Sequence, residues 1–264
     1  MTSSVDQLTH TRLDPFGLLV TASTSDSDLR EIAPETLAGW TDEAKVVVLR
    51  GLPLLPAADF EAYCARWGEL LRWDFGAVLD LKVQEDPKNY LFTRGPVPFH
   101  WDGAFAHVEP RYFLFQCLDA RPGGGGETVF CDTVAAYAAA SPEQRAVWDR
   151  VRISYRTDKL AHYGGDVTHP LVSTHPASGE TVLRYAEPLD PERFINPLFL
   201  DVEGAPDGDR LVAELSEYLW RPEFCYAHAW RPGDIVVVEN HALIHGRYPF
   251  VGDSTRHLQR VQII

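Results

Sequence analysis

Arg231-Pro-Gly-Asp-Ile-Val-Val-Val-Glu-Asn-His-Ala-Leu-Ile-His245-Gly246 opens with a turn and runs directly into a strand. Pro232-Gly233-Asp234 carries the residues that tight turns need. Ile235 to Val238 is a short unbroken apolar run, as expected of a strand buried on both faces. A histidine just beyond such a strand, followed by glycine, is presented to the interior. On this ground alone His241 and His245 both compete to meet a ligand there.

Working outward, the same pattern recurs. Lys45 to Arg50, Tyr112 to Leu118, Thr128 to Cys131, Arg152 to Arg156, Leu171 to Thr174, Thr181 to Tyr185 and Arg256 to Ile264 are further short strand candidates. Asp59 to Leu71 has helical spacing, with Phe60, Tyr63, Cys64 and Trp67 on one face. Ser141-Pro142-Glu143 reads as a helix start, with Ser as cap and Pro at the first helical position. Another helix is expected over Asp209 to Leu219. Short strands punctuated by Gly and Pro, with few helices between them, predict a mainly β chain with α insertions, built as a sandwich or jelly roll. No composition shift divides the chain, so residues 1–264 are expected to form a single domain.

Composition narrows the function classes. Lys and Arg number 24 against 38 Asp and Glu, a net charge of −14. That speaks against a nucleic-acid partner, which calls for basic patches. No apolar stretch is long enough to span a membrane, and Met1 to Gly17 lacks the basic start and apolar core of a signal peptide. Cys64, Cys117, Cys131 and Cys225 show no metal-ribbon spacing, and Cys117 and Cys131 sit in strand-like runs as small buried hydrophobes. The expectation is a cytoplasmic protein acting on a small molecule, without nucleic-acid or membrane partners; homo-oligomerisation is left open.

Phe99-His100-Trp101-Asp102-Gly103 supplies the chemistry. If the segment is extended, His100 and Asp102 share a face and reach one ion, while Trp101 faces away. With one further histidine they would complete the two-His-one-carboxylate set that leaves coordination positions open for substrates. His245 is preferred over His241, which then reads as a core or supporting residue. In Arg256-His-Leu-Gln-Arg260, positions 256, 258 and 260 share one face. Arginines facing the interior call for anionic partners, and carboxylates suit the guanidinium fork; an outward, solvated face is the alternative.

Together these segments resemble the TauD/TfdA family of 2-oxoglutarate-dependent dioxygenases. The resemblance rests on His100-Trp-Asp102, Gly125-Gly-Glu-Thr128, Gly233-Asp234, Glu239-Asn240 with His245, and Arg256, 11 residues beyond that histidine. It covers residues 45 to 264 and implies a double-stranded β-helix core. It also implies Fe(II) held by His100, Asp102 and His245, with dioxygen as co-substrate. 2-Oxoglutarate would be anchored by Thr128 and Arg256, and Arg260 would meet an anionic group of the substrate. Phe115-Gln-Cys-Leu-Asp119, Arg184-Tyr-Ala-Glu-Pro188 and His245-Gly-Arg247 are similar to the PvcB-like isonitrile-processing oxygenases. These imply C–H hydroxylation or oxidative desaturation of a small amino-acid-derived metabolite, such as tyrosine isonitrile, in secondary metabolism.

Further substrate contacts are expected from the insertion Asp158 to Gly165, where Lys159 and His162 could meet an anion, and from Tyr163, Phe105 and Trp101 as aromatic walls. A solvated loop and ordinary core packing are the alternatives for these residues. Two other functional readings are a cupin-like metalloenzyme that needs no 2-oxo acid and a non-catalytic jelly-roll binding module. The first has no need of Arg256 at its spacing from His245, and the second would be expected to have lost a ligand, whereas all three candidates are present.

Overall fold

The computed structural model describes residues 8–23, 27–105, 108–121, 124–157 and 166–264. Its strands are β1 (Leu8–Arg12), β2 (Leu18–Ala22), β3 (Val46–Arg50), β4 (Leu79–Lys82), β5 (Val97–His100), β6 (Tyr112–Arg121), β7 (Thr128–Asp132) and β8 (Arg152–Thr157). They continue with β9 (Val167–Pro170), β10 (Val172–Thr174), β11 (Thr181–Leu183), β12 (Leu198–Glu203), β13 (Cys225–His228), β14 (Ile235–Glu239), β15 (Leu243–Arg247) and β16 (Thr255–Ile263). The helices are α1 (Pro34–Ala44), α2 (Ala57–Cys64), α3 (Thr133–Ala139), α4 (Pro142–Trp148) and α5 (Gly208–Leu219).

Seven strands form one sheet in the order β1-β2-β3-β14-β6-β16-β4, and four form a second in the order β13-β7-β15-β5. The two sheets face each other. Val46, Val48, Phe113, Phe115, Val236 and Val238 of the larger sheet close on Phe130 and Leu243 of the smaller. Alternation along each strand sends the intervening residues outward. Val47, Leu49, Leu114 and Val237 therefore meet Leu37, Phe60 and Tyr63, which α1 and α2 lay over the outer face. The smaller sheet is covered in turn by α3 to α5 and a sheet of order β12-β8-β9. This is the jelly-roll architecture expected, a mainly β core with helical insertions.

Local signals explain the helices. α4 carries a full capping box, in which Ser141 Oγ accepts from Gln144 N–H and the Gln144 side chain accepts from Ser141 N–H. α5 buries Leu211, Leu215, Tyr218 and Leu219 along one stripe. The helix expected over Asp59 to Leu71 stops early, at Cys64. The apolar residues beyond it serve the sheet instead: Leu70 bridges Ile263, and Leu71 N–H donates to Gln262 C=O at 3.0 Å. Gly68 makes the approach possible, since a Cβ there would sit 3.2 Å from Ile264 O.

Candidate active site

β15 lies between β7 and β5 and sets His245 directly opposite His100. Opposed residues of an antiparallel pair present their side chains on one face, and the two imidazole centroids are 4.4 Å apart. β5 ends at His100, so Asp102 is not on the strand as the period-two reading expects. It stands in the turn that follows, where Gly103 takes φ +89° and a Cβ would fall 2.8 Å from Glu109 Cα. The turn bends the carboxylate back toward the histidines, with Asp102 Oδ1 3.8 Å from His245 Nε2. The ligand atoms of His100, Asp102 and His245 all lie within 4.8 Å of one another.

Asn240, fully buried, fastens this turn. Its Oδ1 accepts Asp102 N–H at 3.0 Å, and its Nδ2 donates to the carbonyls of Asp102 at 2.8 Å and Pro110 at 2.7 Å. Trp101 does face away, as expected, into the core. There its indole donates to Glu109 at 3.1 Å beneath the Arg184 guanidinium.

The donor set fits a divalent metal of the iron(II) type. His100 Nδ1 lies 3.0 Å from Pro98 O, which puts its proton on that nitrogen and frees Nε2 as a ligand. Burial lowers the pKa of both His100 and His245. For Asp102 burial alone would raise the pKa, but Arg260, His245 and His100 together hold it below the usual carboxylate value. Metal binding needs neutral imidazoles and an ionised carboxylate. Because all three groups resist protonation, acid competes weakly. Bound metal is expected to be retained through the ordinary histidine value of 6.5 and released only at lower pH. Metal content after dialysis across a pH series checks this; release above 6.5 would contradict it.

β16 brings two arginines to the same cavity. The β6–β16 ladder has a bulge between His257 and Leu258, yet Arg256 and Arg260 both line the cavity that holds His100 and His245. Arg256 Nη1 donates to Gly126 O at 2.7 Å and to Thr128 Oγ1 at 2.8 Å. Trp230 Nε1 also donates to Thr128 Oγ1, at 3.0 Å. With both acceptor positions taken, the Thr128 hydroxyl is left to donate to something else. Burial, and then the neighbouring Arg247, pushes the Arg256 pKa down to about 9. Among the described residues Arg256 has no carboxylate partner. A desolvated guanidinium of this kind is a receptor for an anion.

Arg260 has a different first partner, donating from Nη1 to Asp102 Oδ1 at 3.0 Å, and its Nε is buried without a partner among the described residues. Gln262 donates to the other carboxylate oxygen, Oδ2, at 2.7 Å.

Residues 8–262 match the family model for taurine catabolism dioxygenase TauD, TfdA family. The chain belongs to the TauD/TfdA family. It is 50% identical over 256 residues, 96% of this chain and 94% of the relative, to the 3-((Z)-2-isocyanoethenyl)-1H-indole synthase of Fischerella ambigua. It is 35% identical over 255 residues, 94% of this chain and 87% of the relative, to the tyrosine isonitrile desaturase of Pseudomonas aeruginosa. In structure it resembles PvcB, an Fe, alpha-ketoglutarate dependent oxygenase from an isonitrile synthetic pathway. The TM-score is 0.80 and the identity 32%, over 97% of this chain and 90% of PvcB. This TauD/TfdA chain is therefore an Fe(II)- and 2-oxoglutarate-dependent oxygenase, which sets aside the cupin-like and non-catalytic readings.

The other expected residues sort differently. Lys159, His162 and Tyr163 lie outside the described residues. Phe105 packs beside Tyr155, ring centroids 5.7 Å apart, within the core under the smaller sheet. His241 forms a second cluster with His175 and Glu239. His175 Nδ1 accepts two backbone N–H groups, from Ala177 and Ser178, so its proton sits on Nε2, 3.1 Å from Glu239 Oε1. That tautomer turns the protonated Nε2 toward the carboxylate, so the cluster reads as a close histidine–carboxylate contact rather than a ligand set. A separate cleft of about 740 Å³ opens elsewhere, along Pro98, Phe194 and Phe199, and none of the three candidate ligands lines it.

Arg247, the last residue of the His245-Gly-Arg247 motif, is buried. It donates to the carbonyls of Leu91, Thr93 and Gly95, holding the loop that leads into β5. No local pattern announces that role, because its partners lie about 150 residues away.

No helix among the described residues is long and apolar enough to cross a membrane.

Proposed function

We propose that this chain converts an isonitrile derived from an aromatic amino acid, with an indole ring as first choice, into the corresponding vinyl isonitrile. His100, Asp102 and His245 hold the iron, and Arg256 with Thr128 holds the far carboxylate of 2-oxoglutarate. The observation that carries this reading is the Arg256 guanidinium, without a carboxylate partner among the described residues, beside a Thr128 hydroxyl left to donate, in the cavity that the two histidines line. The identity to the indole-forming relative exceeds that to the tyrosine isonitrile desaturase and supports the choice of ring.

Iron, 2-oxoglutarate and dioxygen together supply a two-electron oxidant for C–H bonds. The protein supplies position. Arg260 keeps Nη1 on Asp102 and turns its free Nε to the substrate carboxylate. Leu81, Val83, Leu91 and Phe250 form the apolar wall against which the ring lies. Lys159, His162 and Tyr163 remain candidates for contact from the insertion. Two electrons leave the substrate and two leave 2-oxoglutarate. One oxygen atom ends in succinate and the other in water. If the substrate carboxylate departs as carbon dioxide together with one hydrogen from the carbon beside the ring, the product is ring–CH=CH–NC. If it stays, two hydrogens are lost and the carboxylate is retained.

The test is succinate formation by iron-loaded protein supplied with 2-oxoglutarate and air, with tryptophan-derived or tyrosine-derived isonitrile. Succinate stimulated most by the indole compound, with a product lighter by carbon dioxide and two hydrogens, is expected. A product heavier by one oxygen would replace desaturation with hydroxylation. Equal indifference to both isonitriles would remove the substrate class.

A further inference from the structure

The geometry points to Trp73 and Gln262 as positioning residues that aim the Asp102 carboxylate at the metal. This rests on reading His100, Asp102 and His245 as the ligands. Gln262 lies two residues beyond Arg260 on β16, so both side chains leave the strand on one face. They divide the carboxylate between them: Arg260 takes Oδ1 at 3.0 Å and Gln262 Nε2 takes Oδ2 at 2.7 Å. Each oxygen keeps a lone pair beyond the one so engaged.

An amide can face either way, and here the choice is settled by Trp73. Its Nε1, a donor only, points at Gln262 Oε1 from 3.0 Å. The amide oxygen must meet the indole, so the NH₂ must meet the carboxylate. Reversal would set donor against donor at one end and oxygen against carboxylate at the other. Trp73 is held in its turn by reciprocal backbone hydrogen bonds with Gly76, at 3.0 and 2.9 Å. Gln262 is 4% exposed, and its own carbonyl accepts Leu71 N–H. A relay thus runs from a part-exposed surface turn through one amide to a metal ligand. The pieces are 189 residues apart in sequence.

Outer partners of metal ligands are worth roughly 10–100-fold in affinity or activity. The test measures the dissociation constant of Mn(II) for metal-free protein, alongside the melting temperature without metal. Gln262→Met keeps the side-chain volume and removes both hydrogen bonds; it is expected to weaken Mn(II) binding by about tenfold or more. Trp73→Phe leaves the amide unoriented and is expected to weaken binding less, by a few-fold. In the Gln262→Met background Trp73→Phe should have no further effect, because its action passes through the amide. A merely structural role would make the two losses add. Mn(II) affinity of Gln262→Met within twofold of wild type, or equal effects of Trp73→Phe in both backgrounds, overturns the proposal. If Gln262→Met fails to fold, Trp73→Phe alone decides, and unchanged affinity refutes the relay. Wild type that takes up no Mn(II) would instead sink the ligand assignment on which the relay depends.

Discussion

Alanine in place of His100 is expected to abolish metal retention and succinate formation while the apoprotein melts close to wild type. His100 is only part-buried, and its one hydrogen bond runs to Pro98 O. Removing it strands no charge and opens toward an existing cavity, so the fold loses little. The metal loses one of three protein ligands, a deeper loss than the roughly 10–100-fold attached to outer partners, and turnover should fall by more than about 10³-fold. Asp102→Ala should lose the metal as completely and behave differently without it. Arg260, 8% exposed, would be left beside the site with no carboxylate. Stranding one member of a buried ion pair costs about 3–5 kcal/mol. The apo form of Asp102→Ala should therefore melt clearly below that of His100→Ala. Metal analysis and calorimetry on the two variants check both halves. Iron retained by His100→Ala would remove it from the ligand set, and matching apo melts would show that Arg260 finds another anion or water.

The same contrast shows what a single sequence discloses. Strand-forming runs such as Ile235 to Val238 were legible because a strand buried on both faces is apolar along its length, whatever its neighbours. The pairing of His100 with Asp102 was legible from spacing, although for a partly mistaken reason. The strand ends two residues early, at His100, and a glycine turn, held by Asn240, achieves the convergence that alternation had suggested. Arg256 and Arg260 were visible as inward arginines, because charge in a core needs an explanation. Their different partners were not visible, since which carboxylate lies opposite each depends on how β16 packs across the cavity. Trp73 and Gln262 left no local trace at all, and Arg247 showed only as the end of a motif, without its role. Each acts on a segment more than 100 residues distant, and a glutamine or tryptophan in an apolar neighbourhood reads as filler until its partner is in place. The helix over residues 59–71 was overextended for a related reason: helical spacing records which residues are apolar, not whether the chain end will come to claim them.

Leucine in place of Arg256 is expected to cost the enzyme its 2-oxoglutarate while leaving its metal, and to leave the apoprotein at least as stable. Removing one member of a buried charge pair costs about 2–5 kcal/mol. At about 1.4 kcal/mol per decade this is a rise in the dissociation constant of roughly 30-fold to several thousand-fold. Metal affinity should not change, because Arg256 hydrogen-bonds to Gly126 O and Thr128 Oγ1 and to none of the three ligands. Stability follows from the sign of the pKa shift. The folded protein holds this guanidinium at about 9, far below its ordinary value, so folding works against its charged form throughout the neutral range. An apolar side chain of similar reach removes that penalty and still packs against Trp230 and Phe250, which flank the guanidinium. Thermal shift reads both effects at once. For wild type, 2-oxoglutarate at 100 times its dissociation constant adds about 2.7 kcal/mol of stability, a shift of roughly 5–10 °C for a chain of this size. Arg256→Leu should start at the same or a higher melting temperature and shift by no more than about 3 °C at that concentration. A variant that melts well below wild type would mean that Arg256 is held by the protein rather than waiting for an anion. A variant that shifts as far as wild type with 2-oxoglutarate would move the anchor to Arg260 or to Arg247, which also line the cavity.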